Sequence, residues 1–274
     1  VAASIIKLVR KLYPSNSLLS YNPVFKVAGN AIANLLGAPF PEFRDLPPNH
    51  LRVRVGVGTK IVNNHAHHLQ IGSQFWIECF ARGYLTASAD IMEIGCGCGR
   101  IAAHLKADYF SGTYLGIDID PEMIDYCRAH FPAPKFVFAL SPHKSSTYHS
   151  GELSSPDCEL FTIAQPESRD FVFSTSLFTH LLENEVAFYL QQSFRALRPK
   201  GMAVMSFFCM ESVEMGKPWT FSHRAGNAFV DDERYPEAAV AYGTASMVEM
   251  AKEAGFSEVA VSGRRVQSFL IARK

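Results

Sequence analysis

The stretch MEIGCGCGR, Met92 to Arg100, sets Gly95, Gly97 and Gly99 at alternate positions behind an acidic residue, Glu93. Glycines so spaced let a backbone turn tightly and let a ligand approach without interference from a Cβ. The stretch follows a strand pattern and opens a helix pattern, and a helix N-terminus offers unpaired N–H groups to a carboxylate or phosphate. The chemistry on offer is ligand binding by backbone, and the spacing must say which ligand. Cys96 and Cys98 stand only two apart, whereas zinc knuckles use C-x-x-C pairs. Together with Cys79, Cys127, Cys158 and Cys209 they read as reduced thiols filling apolar space. A dinucleotide fingerprint, G-x-G-x-x-G/A, fails from Gly95 because Arg100 fills its third position. From Gly97 it fits only with Ala102 last, two residues late. The pattern that fits without shifting is acidic-x-G-x-G-x-G.

These residues need elements that hold them in place. From Asp90 onward, strand patterns at 91–94, 114–118, 136–139, 171–174 and 203–208 alternate with helical patterns at 100–106, 121–130 and 183–197. Such alternation requires crossovers and so predicts an α/β fold: a Rossmann-like, doubly wound, mainly parallel seven-stranded sheet with helices on both faces. Two final strands at 259–262 and 267–272 are separated only by GRRV and predict an antiparallel C-terminal edge hairpin. Ligands of such sheets sit at the carboxyl ends of the strands near the switch point, where the glycine stretch falls. Asp120 before Pro121 is placed to cap the following helix. Before Asp90 the texture is helical with Pro-rich turns, which predicts a helical N-terminal cap over 1–89 and a second unit over 90–274.

The acidic-x-G-x-G-x-G stretch resembles the first motif of the class I S-adenosylmethionine-dependent methyltransferases. YLGIDIDPEMIDYC is similar to that family's second strand, and RDFVFSTSLFTHLLENEVAFYLQQSFRALRPKGMAVMSFF to its fourth strand, following helix, turn and fifth strand. The resemblance runs from about Asp90 to Phe208 in the family's order, and the terminal strands extend it. It implies S-adenosylmethionine as cofactor, with Glu93, Gly95, Cys96, Gly97 and Gly99 around its methionine end, Asp118 on the ribose hydroxyls and Ile119 against the adenine. The family's frequent acidic residue after the third strand is missing from FVFALSPHKSS.

An acceptor hydroxyl must lose its proton as it attacks, so a base or a metal is expected near the transferred methyl. His180, past the fourth strand, and His143 and His149, in an inserted stretch at 141–160, are the candidate bases. A second excursion, 210–242, carries Trp219, Phe221, His223, Phe229 and Tyr235; its aromatic content predicts a roof over the acceptor together with the cap. Asp157, Asp170 and Glu211 are candidate ligands for Mg2+, and His65 and His68 share a helix face in NNHAHHLQ without a nearby carboxylate. FSTSLFTHL with LRPKGMAVMSFF is similar to bacterial methyltransferases of sugars, glycans and hydroxylated metabolites, so O-methylation of a saccharide or small-metabolite hydroxyl is the expected activity. N- or C-methylation is the alternative; an NAD-dependent oxidoreductase and a donor-binding protein without catalysis are remote ones.

Composition narrows the partners. The 274 residues carry 26 Lys and Arg against 26 Asp and Glu, so no net field draws the chain to nucleic acid or an anionic membrane. No apolar run approaches the roughly 20 residues that span a bilayer. VAASIIKLVRKLY mixes its basic residues through its apolar ones and reads as an amphipathic helix packed on its own domain, and the chain as cytoplasmic.

Overall fold

The computed structural model describes residues 20–56, 61–143, 164–213, 219–263 and 266–274. The expected N-terminal amphipathic helix, His149, Asp157 and most of the 141–160 stretch lie outside them. Ten strands form among the described residues: β1 (Ile91–Ile94), β2 (Tyr114–Asp118), β3 (Phe136–Leu140), β4 (Arg169–Ser174), β5 (Leu197–Cys209), β6 (His223–Ala225), β7 (Ala228–Val230), β8 (Val240–Tyr242), β9 (Glu258–Ser262) and β10 (Ser268–Arg273). The main sheet runs β3-β2-β1-β4-β5-β10-β9, parallel except for β10, which is antiparallel to β5 and to β9. Register is set by Ile91 standing opposite both Tyr114 and Phe171, and by Leu270 opposite Met205. The chain winds outward from β1 in one direction and from β4 in the other, so the crevice opens at the carboxyl ends of these two strands.

Helices cover both faces of this sheet, and the strands are accordingly apolar on both. Met92, Ile94, Val172 and Met205 pack with α5 (Glu183–Ala196) and α6 (Thr244–Glu253) through Val186, Leu190 and Met247. Ile91, Tyr114, Phe171 and Phe173 face the other way, towards α3 (His65–Ala81) and α4 (Pro121–His130), through Phe75, Trp76, Ile124 and Cys127. Phe75 and Trp76 set their rings 4.7 and 5.3 Å from that of Phe173. Glu93 shares the Ile91 side of β1, so a carboxyl group enters an otherwise aromatic layer.

Ahead of the sheet, α1 (Pro23–Gly37) is capped by Asn22, whose side chain accepts from Val24 N and Phe25 N, and α2 (Asn49–Arg54) is buried along its length. Arg54 ties α2 to the start of α4: it pairs with Asp120 at 2.9 Å and Glu122 at 2.7 Å, and the Tyr21 hydroxyl donates to Asp120 at 3.0 Å. Breaking a buried pair by removing one partner typically costs about 3–5 kcal/mol. Asp120 also caps α4, accepting from Glu122 N and Met123 N as its position before Pro121 implies.

Some expectations need correction. The helix expected at 100–106 is only a 3-10 segment, Ala102–Lys106, because the Trp76 indole takes the Ile101 carbonyl at 2.9 Å. The 210–242 excursion is not all loop: β6, β7 and β8 extend the sheet, with β8 parallel to the end of β5. Strands of three residues are too short to show a period. The main sheet keeps the seven strands that the sequence predicts, and β6 to β8 are an extension of it through the end of β5. His65 and His68 are buried, His65 stacked on Phe43 at 4.9 Å, and burial lowers the pKa of both. No group of three or more His, Cys, Asp or Glu among the described residues could hold a metal ion. Asp170 sits at the amino end of β4, held by Arg198 at 2.7 Å, whereas Glu211 follows the carboxyl end of the adjacent β5. Parallel strands keep those two carboxylates apart, so they do not build a shared site. No helix among the described residues is long and apolar enough to cross a membrane.

Candidate active site

A cavity of about 800 Å³ lies over the carboxyl ends of β1, β2, β4 and β5. Its floor at one end is the loop after β1. Gly95, Gly97 and Gly99 have φ of +77, +54 and +76°, a region that side-chain-bearing residues rarely adopt. A Cβ on Gly97 would run into Val55 Cγ1, so the residue that caps α2 leaves no room there for a side chain. Asp118 at the end of β2 accepts from Gly97 N at 2.7 Å and from Asp120 N at 2.9 Å. Burial pushes its carboxyl up to about 6, and those two N–H groups restrain the rise. Ile119 lines the same end, half-buried.

Glu93 is 1% exposed, and burial pushes its carboxyl up to about 8 although the Tyr114 hydroxyl donates to it. Cys96 and Cys98 are buried, and burial raises both thiols, which keeps them unreactive. The five described cysteines are buried and outside any disulfide, in keeping with their reading as fillers. Arg100, which fills the third position of the failed dinucleotide fingerprint, also lines the cavity, as do Tyr21, Arg54, Val55 and Gly56 of the N-terminal segment. No sequence signal marks these last residues, since tertiary packing alone brings them over the loop.

The other end is assembled from distant segments. His180 lies half-buried after β4, and its Nδ1 is 2.9 Å from Glu237 O. A carbonyl oxygen only accepts, so Nδ1 carries the proton and Nε2 is the basic nitrogen of the neutral ring. Burial lowers its pKa, which favours that neutral form. The 210–242 excursion supplies Glu237 and is fastened beside His180 by Val240 N to Thr179 O and Tyr242 Oη to Leu181 O, both 2.8 Å. His143, after β3, sets Nδ1 2.6 Å from the Tyr189 hydroxyl of α5, and both line the cavity. Phe208 and Trp219, with ring centroids 4.4 Å apart, Phe75 from α3 and Phe269 from β10 make the wall largely aromatic. Ser176, at φ +61°, donates its N–H to Ser206 Oγ at 2.6 Å and exchanges a hydrogen bond with Gln267. The structure thus brings His180 and His143 into one cavity with Glu93, Gly95, Cys96, Gly97, Asp118 and Ile119. Gly99 stands behind the loop, where a Cβ would meet Phe131.

A positive-φ loop after β1, an acidic residue at the end of β2 and a crevice at the β1/β4 switch define a nucleotide-binding α/β fold of the methyltransferase kind. Residues 92–205 match the family described as a methyltransferase domain. The chain carries a class I S-adenosylmethionine-dependent methyltransferase domain. It is 28% identical over 157 residues to a malonyl-[acyl-carrier protein] O-methyltransferase from Hahella chejuensis, covering 56% of this chain and 50% of that one. The chain thus spans about half the length of that curated relative. Among solved structures it is similar to a SAM-dependent methyltransferase from Archaeoglobus fulgidus, at 13% identity and a TM-score of 0.50, covering 76% of this chain and 94% of that one. A SAM-dependent methyltransferase from Methanosarcina mazei matches at 18% identity and a TM-score of 0.48, covering 71% and 96%.

Proposed function

We propose that this chain transfers the methyl group of S-adenosylmethionine to a hydroxyl oxygen of a small, largely apolar acceptor. The observation that carries the reading is a single cavity with the 95–99 loop and Asp118 at one end and His180, tautomerically fixed, at the other. The residues present suit the donor: a turn of positive-φ glycines at Gly95 and Gly97 on the cavity wall, a carboxylate at Asp118 for a diol, and an apolar Ile119 for a base ring. Bound there, the donor supplies an electrophilic methyl on a sulfonium. The chain's own part is to hold the donor, align an acceptor oxygen in line with it, exclude water and take a proton at His180 Nε2. His143 with Tyr189 is a second candidate for that proton; His149 keeps its place as a sequence-based candidate.

The aromatic wall favours a metabolite with an apolar body over a saccharide. A sugar carries a hydroxyl on most carbons, and each one buried without a partner costs about 1–3 kcal/mol. The Hahella relative's name, an O-methyltransferase, supports oxygen as the accepting atom, and zero net charge supports a small molecule over nucleic acid. The test is incubation with methyl-labelled S-adenosylmethionine and a panel of phenols, aliphatic alcohols, monosaccharides and amines, with and without chelator. Label is expected in hydroxyls of apolar acceptors with chelator present. Label only in amines, or only in sugars, would overturn the acceptor reading, and activity that needs added magnesium would overturn the histidine base.

A further inference from the structure

The register of β10 on β5 sets Phe269 opposite Ser206, and side chains opposite one another in an antiparallel pair point to the same side. Two residues beyond this pair, Gln267 and Phe208 line the same cavity as Ser206 and Phe269, and Trp219 stands over Phe208. A small polar cluster is thus set into an aromatic shelf. Ser206 Oγ accepts the N–H of Ser176, which is held at φ +61°, a region that serine seldom adopts and that is costly to keep. Ser176 also opens the turn that carries His180, since Thr179 Oγ1 donates to its carbonyl at 2.8 Å. The Gln267 carboxamide lies against Ser176 Oγ, with Nε2 at 3.1 Å and Oε1 at 3.3 Å, and the shorter contact has Nε2 donating. Among the described residues the Gln267 side chain bonds to Ser176 alone. One N–H of Gln267 and the hydroxyl proton of Ser176 are then left to donate. Both residues are half-buried on the cavity wall. A strained turn with two unused donors in an otherwise apolar wall is a place for a ligand to complete the bonding.

We propose that Gln267 and Ser176 form a polar anchor for the acceptor, donating from Nε2 and Oγ to a carbonyl oxygen on a flat aromatic body whose hydroxyl lies towards His180. The proposal rests on the acceptor reading above and narrows it from apolar hydroxyl compounds to phenols that carry a carbonyl substituent. Phe208, Trp219 and Phe269 offer ring faces and edges to a planar body, and such pairs gain beyond the area they bury. The two donors favour an accepting oxygen, because an apolar group placed on them removes their water and returns no bond. Gln267 thus sorts acceptors, while His180 takes the proton.

The test uses the whole chain, S-adenosylmethionine and two phenols of nearly the same shape, para-hydroxyacetophenone and para-ethylphenol, which differ by a carbonyl in place of a methylene. The quantity read is the ratio of their kcat/KM values. The two phenols differ in acidity, so each variant's ratio is divided by that of wild-type protein, which cancels the difference. Gln267→Met keeps the length of the side chain and removes its donors; it is expected to lower the ratio about ten- to hundred-fold, through a raised KM for the ketone. Ser176→Ala is expected to lower it in the same direction and serves if the Met variant melts early. Calorimetry should find S-adenosylhomocysteine affinity unchanged in both. A ratio that stays at the wild-type value in both variants, even with turnover of both phenols reduced, would make Gln267 a brace for the turn and overturn the anchor while leaving the acceptor reading intact. Wild-type protein that methylates aliphatic alcohols but neither phenol would overturn the anchor and its aromatic acceptor; wild-type protein that methylates no hydroxyl would overturn the acceptor reading as well.

Discussion

At the donor end of the cavity, most of the run from Glu93 to Arg100 and the end of β2 build the surface, with Tyr21 and residues 54–56 closing over it; at the acceptor end, residues from β3, β4, β5, β10, α5 and the 210–242 excursion must meet. A ligand common to a whole family can be held by backbone, and backbone geometry is written in glycine spacing. An acceptor particular to one protein is held by side chains carried on long connections, where packing decides the neighbours. Gly97 and His180 stand for the two cases. Gly97 is fixed by its own φ and by Val55 above it, and His180 acquires its working tautomer from a carbonyl 57 residues away.

Substitutions that fall on one end and spare the other can break this division. The largest effect is expected from Gly97→Val: positive φ, and Val55 standing where a Cβ would go, leave the loop no way to keep its shape. Binding of S-adenosylhomocysteine should fall below detection by calorimetry; normal binding by a folded variant would show that the loop does not hold the donor. At the other end, His180→Ala should lower turnover by about 10²- to 10⁴-fold with donor affinity unchanged, the mark of a lost base. Donor affinity falling together with turnover would place His180 at the wrong end.

Asp118→Ala is the converse, with a smaller effect. A charged acceptor contributes about 1.5–3 kcal/mol per hydrogen bond, so donor affinity should drop about ten-fold or more. The loop should also loosen, because Gly97 N loses its acceptor. Thermal melting separates the two consequences: a large stability loss with unchanged affinity would make Asp118 a loop strut only.

The smallest effect concerns pH. Burial raises Glu93 from the usual 4.5 to about 8, so the folded chain holds a proton there that the unfolded chain releases. Stability from this group is complete below about 4.5 and is lost as pH rises through about 8. Asp118 acts in the same direction but only up to about 6, and the buried histidines act oppositely and only below their ordinary 6.5. Between about pH 6.5 and 8 the fall belongs to Glu93, at a limiting slope of about 1.4 kcal/mol per pH unit. Urea unfolding of Glu93→Gln should lack that slope; a slope kept in the variant would assign it to another group.

The same division explains what the sequence made legible. β1, β2 and α4 form at 91–94, 114–118 and 121–130 as the patterns predict, because each has its own local stop: a glycine run, a helix cap at Asp120 and a proline at Pro121. β6 to β8 and α6 were not legible, the strands because three residues carry no period, and α6 because its apolar Met247, Met250 and Ala251 are too few to stand out. Tyr242 and Glu237 orient the acceptor end through bonds to Leu181 and His180, and nothing near either residue in sequence announces that.

The central claim is that the loop at Gly95 to Gly99 and Asp118 hold an S-adenosyl donor. Parallel titration of the chain with S-adenosylhomocysteine and with NADH tests it most directly. The account predicts a saturable heat and a raised melting temperature with S-adenosylhomocysteine and neither with NADH; stabilisation by NADH alone would contradict it.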